Sequence, residues 1–389
     1  MSARRAAIIV LDGVGIGAAH DAADYGDADS DTLGHVAEVV GGAQLPNLEA
    51  MGLGCIAALS GVAAIATPTA AWGSMQPASA GKDSTTGHWE LAGLWLDQPF
   101  PVYPDGFPDG VVSEFSRRTG RPVIGNVAAS GTAVIERFGP EHARTGAWIL
   151  YTSADSVFQV AAHEAVIPVE TLYAGCAIAR EILVAPHHVA RVIARPFEGE
   201  PGAYRRTPRR RDFSLAPPGV TLLDALEAAG IARAGVGKVD DLFAGRGIDS
   251  RHTRDNAEGL AAIHEWLAGP GGGLLLANLV DFDQQFGHRN DVAGFYRALR
   301  QFDAALPMLL ADLREDDLLA ITADHGNDPT TPSTDHSRER VPLLVTGARI
   351  RARSVGERST FADLGATVAE WLGVDFQGRG TSFLPEIAA

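Results

Sequence analysis

Lysine is nearly missing from this chain. Of its 32 basic residues only Lys82 and Lys238 are lysines, and the rest are arginines. A biased genome explains most of that depletion, but not where the two survivors sit. Lys82 lies in "GKDSTTGHWE", a stretch with three hydroxyls in a row, and Lys238 ends the run "GIARAGVGK". A compact ammonium is not a planar guanidinium, so both are candidates for phosphate or carboxylate contacts. Cysteine is scarce as well. Cys55 and Cys176 stand alone, which excludes a disulfide framework and any thiolate metal spacing and points to a reducing compartment. Long apolar runs are absent. The run before Asp12, "AAIIVL", is too short for a signal peptide, and no segment approaches a membrane span. The expectation is a cytoplasmic protein without a membrane partner. Positive charge is in deficit, with a formal net charge of -16. Such a field repels nucleic acid and anionic lipid. An anionic substrate would need metal ions or clustered arginines to draw it in.

What is present reads as an α/β protein. A length of 389 residues suggests two domains. "AAIIVLDGVGIG", "GGLLLANLVDFD" and "DDLLAITADHGN" each read as a buried strand running into a turn. Between the last two, Val292, Phe295, Leu299, Phe302, Leu306 and Leu313 recur at helical spacing, with Pro307 placed to kink the helix. A final helix is expected at "TFADLGATVAEWLG", capped by Thr360. Strands alternating with helices imply a mostly parallel sheet flanked by helices. Two Pro- and Gly-rich stretches, 97–110 and 206–220, read as hinges bracketing an insertion. The expected division is a core of residues 1–98 and 218–389 and an inserted α/β cap of residues 99–217. Within the insertion "PVIGN", "AWILYTSAD", "FQVAA" and "VARVIARPF" read as strands and "ETLYAGCAIAREILV" as a helix.

Carboxylates and imidazoles gather where strands end. Asp12 ends the first strand, Asp283 and His288 follow "LLLANLV", Asp324 and His325 end "LLAITADH", and His336 closes "NDPTTPSTDH". Ligands of open α/β sheets bind beyond the carboxyl ends of the strands. Three Asp and three His there suit two divalent metals, and such a pair can clamp the attacking and leaving oxygens of a phosphoryl transfer. A metal-lowered hydroxyl pKa would make Ser or Thr a nucleophile. Ser84, Thr85 and Thr86 are the hydroxyls on offer, and spacing alone does not choose among them.

These segments, with "SDTLGH", "GFPDG", "YTSADSVFQVAAHE", "RVIARPFEGEPG" and "NLVDFDQQFGHRND", resemble the phosphopentomutases, metal-dependent members of the alkaline phosphatase superfamily. The resemblance spans nearly the whole chain. It implies an alkaline-phosphatase-like core and an isomerase that interconverts ribose 1-phosphate and ribose 5-phosphate, and the deoxyribose equivalents. It implies two ions, typically Mn2+. Asp283, His288 and His336 would hold one, and Asp12, Asp324 and His325 the other. The nucleophile would be the residue after the Asp of "GKD", here Ser84, where the family carries threonine; Thr85 is the alternative if the loop shifts by one. By the same matching Asp155 would contact the sugar, and Arg191, Arg206 and Lys238 the distal phosphate. Lys82 and His88 flank the nucleophile without an assigned role. A phosphoenzyme, a 1,5-bisphosphate intermediate and an activator such as glucose 1,6-bisphosphate follow, with a monomer acting on small pentose phosphates. The competing readings are a phosphomonoesterase on the same core, a phosphoglycerate mutase with another insertion, and a non-catalytic relative. A sulfatase is disfavoured because the loop lacks a Cys or Ser followed by Pro and Arg.

Overall fold

The computed structural model describes residues 4–153 and 156–389. The chain divides into two compact units, one of Met1–Gln98 with Pro217–Ala389 and one of Pro99–Ala216. In chain order the strands are β1 (Arg5–Leu11), β2 (Ala71–Met75), β3 (Val123–Ala128), β4 (Trp148–Thr152), β5 (Val157–His163), β6 (Arg191–Glu198), β7 (Arg205–Arg206), β8 (Arg211–Ser214), β9 (Arg233–Val236), β10 (Ser250–Arg251), β11 (Gly273–Leu279), β12 (Asp317–Thr322), β13 (Val341–Thr346) and β14 (Ser354–Arg358).

The larger unit carries one sheet in the order β10-β9-β11-β1-β12-β13-β2-β14. β1 is buried along its whole length, as an unbroken apolar run demands of a strand covered on both faces. It pairs in parallel with β11 and β12, and Val10 lies opposite both Asn278 and Thr322. The three strands therefore end level, and the residues after them emerge at one edge. β13 runs antiparallel to β12, and β2 antiparallel to β13, with Val341 opposite Met75. The segment entering β13 and the segment leaving β2 thus reach the same edge. Five chain segments distant in sequence meet there because of strand order. At the opposite edge the buried Arg5 guanidinium pairs with Asp317 and donates to the carbonyls of Trp266, Leu267 and Gly269 at 3.3, 3.0 and 3.1 Å. A buried charge needs all of that satisfaction.

The helix Val292–Ala311 forms as its periodicity dictates, runs through Pro307, and begins with Asp291 accepting from the Gly294 N–H at 2.8 Å. The helix expected to be the final one, Ala362–Leu372, starts one residue later than expected and is followed by a short helix, Leu384–Ile387. Phe361 holds the cap position, and the Thr360 hydroxyl still accepts from the Ala362 N–H while donating to Glu90. The buried Glu90 takes that second bond because it also collects the N–H groups of Ala78, Ser79 and Phe361.

The smaller unit is a sheet ordered β3-β4-β5-β6-β7, with β8 also paired to β6. Alternation along β4 sorts its residues to two faces. Trp148 and Leu150 pack with Phe115, Phe158, Leu172 and Cys176, whereas Ile149 and Tyr151 pack with Val134, Ile135 and Phe197. Helices Asp109–Thr119 and Val169–Ile182 supply the first cluster and Gly131–Thr145 the second. Helices Asp109–Thr119 and Gly131–Thr145 were not expected from the sequence, although Val111 with Phe115 and Val134 with Ile135 mark their buried faces. Burial pushes the Cys176 thiol far up, so it stays an inert thiol. Among the described residues no helix is long and apolar enough to cross a membrane.

Candidate active site

The level strand ends place three carboxylates together. Asp12 follows β1 directly, Asp324 lies two residues past β12, and Asp283 sits in the single π-helical turn Phe282–Phe286. Donor atoms of Asp12, Asp324 and His325 come within 4.8 Å of one another, and so do those of Asp283, His325 and His336. His325 thus stands between two groups. His288 joins through Asp283, with Nε2 at 3.1 Å from Oδ2, while His336 Nε2 is 3.4 Å from Oδ1. The three imidazoles form a row, with ring centres 4.8 Å apart for His288 and His336 and 4.3 Å for His336 and His325.

Backbone carbonyls orient the rings. Nδ1 of His288 donates to the Thr334 carbonyl at 2.7 Å, and Nδ1 of His325 to the Gly326 carbonyl at 3.0 Å. In each ring Nε2 is left facing the carboxylates, the arrangement metal-binding histidines adopt. Two buried amides do the same for the acids. Asn278 donates to Asp12 Oδ2 at 2.8 Å, and Asn327 to Asp283 Oδ1 at 2.6 Å. Neither was singled out from the sequence, although Asn278 is the one polar residue in "LLLANLV" and that oddity was a signal.

Electrostatics say what the cluster wants. Burial, then the charges of Asp324 and Asp283, push the Asp12 carboxyl up. Burial opposes ionisation of Asp283 as well, but hydrogen bonds from His288 and His336 outweigh it and hold that carboxyl well below the usual range. Burial alone would drive His325 neutral, yet Asp324, Asp12 and Asp283 together raise it well above the ordinary histidine value. Asp324 Oδ2 is buried without an aligned donor; the nearest, His88 Nδ1 at 3.0 Å, aims at the Ser84 carbonyl 2.9 Å away. Three buried acids converging with imidazole nitrogens, one of their oxygens unpartnered, fit hard divalent cations.

Ser84 meets this cluster. It opens the helix Ser84–Leu91, capped by Asp83, whose carboxylate accepts from the N–H groups of Thr85 and Thr86. The Ser84 hydroxyl lies 3.1 Å from His325 Nε2 and donates to Asp12 Oδ1 at 3.4 Å. Thr85 is buried, and the Thr86 hydroxyl is turned back to the Asp83 carbonyl at 2.9 Å. Gly87 lets this helix approach so closely, because a Cβ there would lie 2.2 Å from the Asp324 carbonyl oxygen.

The remaining sequence candidates fall elsewhere. Lys238 occupies the N-cap of the short helix Val239–Leu242 in the larger unit. Arg191 opens β6 and lies 3.7 Å from Asp212. Arg206 on β7 lines a cavity of about 400 Å³ with Arg195, Pro196, Thr207 and Arg210. Asp155 lies outside the described residues. Lys82 is bound to Asp27 at 2.9 Å.

Comparison with known proteins agrees with this geometry. Residues 4–376 match the model of the metalloenzyme superfamily. A phosphopentomutase of Acetivibrio thermocellus is 55% identical over 99% of this chain and 100% of its own. One from Dictyoglomus turgidum is 56% identical over 99% and 98%. A phosphoglycerate mutase of Leishmania mexicana, solved at low cobalt concentration, shares the fold with a TM-score of 0.52 at 14% identity, over 98% of both chains. Identity above one half across the full length, on a sheet edge built for divalent cations, means that the chain belongs to the phosphopentomutase family of the metalloenzyme superfamily, metal-dependent isomerases that work as intramolecular phosphotransferases.

Proposed function

We propose that the protein interconverts ribose 1-phosphate and ribose 5-phosphate, and their 2-deoxy equivalents, through a phosphoserine at Ser84 and a pentose 1,5-bisphosphate. The observation that carries this reading is the Ser84 hydroxyl held within 3.1 Å of His325 and 3.4 Å of Asp12 at the start of a helix. Asp12, Asp324 and His325 would hold one divalent cation and Asp283, His288 and His336 a second, Mn2+ in our reading; when bound, they supply positive charge against developing oxyanions.

The chain does the rest. A sugar bisphosphate such as glucose 1,6-bisphosphate gives its phosphoryl group to Ser84 Oγ. The first turn of the helix presents the positive end of its dipole to that group. A pentose monophosphate then attacks with its free hydroxyl, so a new P–O bond forms on the sugar as the bond to Ser84 breaks. The bisphosphate turns around, or shifts, without leaving and returns its other phosphoryl to Ser84. Arg191, Arg206 and Lys238 are assigned to the distal phosphate, since guanidinium forks match phosphate bidentately, and Asp155 to the sugar. Water exclusion falls to the inserted unit, the step that separates a mutase from a hydrolase. We place the enzyme in the cytoplasm as a monomer acting on small metabolites, without nucleic acid or membrane; the net charge of -16 supports that reading.

Phosphorus NMR of the purified protein with ribose 1-phosphate, Mn2+ and a trace of glucose 1,6-bisphosphate tests the proposal. Ribose 5-phosphate should grow in without inorganic phosphate. Inorganic phosphate growing instead would make the protein a phosphomonoesterase.

A further inference from the structure

The segment that delivers His336 to the metal-ligand cluster carries a second buried cation two residues on. Arg338 is 2% exposed. Its guanidinium has five N–H donors, and all five are used. Nε and Nη2 donate to the two oxygens of Asp21 at 2.9 and 2.8 Å. Nη2 also donates to the Pro77 carbonyl at 3.0 Å, and Nη1 to those of Ser79 and Gly81 at 2.6 and 2.5 Å. Three carbonyls at alternate positions of one loop are thus pinned by one planar fork, and that loop ends at Ser84. The backbone adds a second tie. The Arg338 N–H donates to Asp27 Oδ2 at 2.8 Å, and the same oxygen accepts from Lys82 Nζ at 2.9 Å.

We infer that Arg338 is a positioning residue that fixes the Ser84 hydroxyl relative to the cluster. The inference rests on the reading of Ser84 as the nucleophile. One short segment supplies His336 to the cluster and Arg338 to the nucleophile's loop, so the fork ties that loop to the same stretch of chain that carries a ligand candidate. A lysine cannot replace it. An ammonium is a point donor and cannot span Asp21 and three carbonyls in one plane. Arg338 touches neither substrate nor ligand atoms in this account, and acts through Ser84 alone.

A matched control exists in the same unit. Arg5 is equally buried and donates to a carboxylate and three carbonyls, but at the opposite edge of the sheet. If Arg338 merely holds the fold together, Arg338→Lys and Arg5→Lys should behave alike.

The experiment compares both variants with the wild type for thermal midpoint, bound metal per chain, kcat and KM, and the rate of Ser84 phosphorylation by glucose 1,6-bisphosphate. Both variants should melt earlier and keep the wild-type metal content. Only Arg338→Lys should lose kcat and phosphorylation rate, on the order of 100-fold, the scale of an ångström misplacement of a reacting group. Its KM should stay within about threefold, because substrate binding is not what was disturbed. Equal kcat in the two lysine variants would overturn the inference. Should Arg338→Lys fail to fold, Asp21→Ala serves. It frees one side of the fork and should lower kcat several-fold at unchanged KM; an unchanged kcat would overturn the inference there too. If the wild type takes no phosphate on Ser84, the reading beneath has failed, which is a separate result.

Discussion

Ser84 sits where its family relatives are expected to carry threonine, and the hydroxyl geometry shows what the missing methyl group does and does not change. The cap on Asp83, the helix start and the approach to His325 all arise from backbone and from neighbours. None depends on a β-branch. What the methyl group restricts is χ1, so serine would keep the position of the proposed nucleophile with looser aim. Ser84→Ala should lose turnover by at least about 1,000-fold, since no other group replaces a covalent nucleophile. Ser84→Thr should retain activity, with less inorganic phosphate released per turnover than the wild type; a steady-state assay that counts both products checks this, and a greater release from the threonine variant would contradict it. The six ligand candidates were legible from their positions at strand ends. The amides of Asn278 and Asn327 were not, because their partners depend on which strands are neighbours.

Among the elements, the segment between His336 and β13 carries more of the site than its sequence announces. "DHSRERV" reads as a polar loop. In the structure Glu339 is fully buried and accepts from Thr32 Oγ1, Ser337 Oγ and the N–H groups of Thr32 and Gly17. Burial wins against those bonds and pushes its carboxyl from 4.5 up to about 7. The folded state therefore holds a proton that the unfolded chain gives up above about 4.5, so this group's contribution to stability falls as pH rises from about 4.5 to 7 and then levels. Urea midpoints of the wild type should decline over that window. Glu339→Gln should lower the midpoint throughout, because an amide nitrogen then faces N–H donors, and should lose this part of the slope; an unaltered slope would refute the assignment. The central strands were readable because short apolar runs such as "AAIIVL" between turn residues admit little else. Arg338 and Glu339 were not, since a charged loop residue gives no sequence sign of being buried.

At the scale of the whole molecule, the proposed mechanism asks a chain of net charge -16 to hold a doubly phosphorylated sugar. The larger unit concentrates acid at its sheet edge, which suits cations and repels phosphate. The smaller unit is where arginines cluster, with Arg195, Arg206 and Arg210 around one cavity. The division of labour is legible in composition once the unit boundaries are known, and the basic stretch "RTPRRR" marked it. What composition could not show is the order of strands, which alone decides that Arg206 joins Arg195. Arg206→Ala should raise KM for ribose 5-phosphate by about tenfold or more, the value of one charge-assisted bidentate contact, with kcat less affected. An unchanged KM would remove Arg206 from the substrate site.

The account stands on a serine that becomes a phosphoserine. The most direct test incubates the protein with Mn2+ and excess glucose 1,6-bisphosphate, quenches it, and locates the phosphoryl group by peptide mass spectrometry. One phosphoryl group on Ser84, absent from the Ser84→Ala variant, is the expected result. Phosphate on Thr85, or none on an enzyme that turns over, would contradict it.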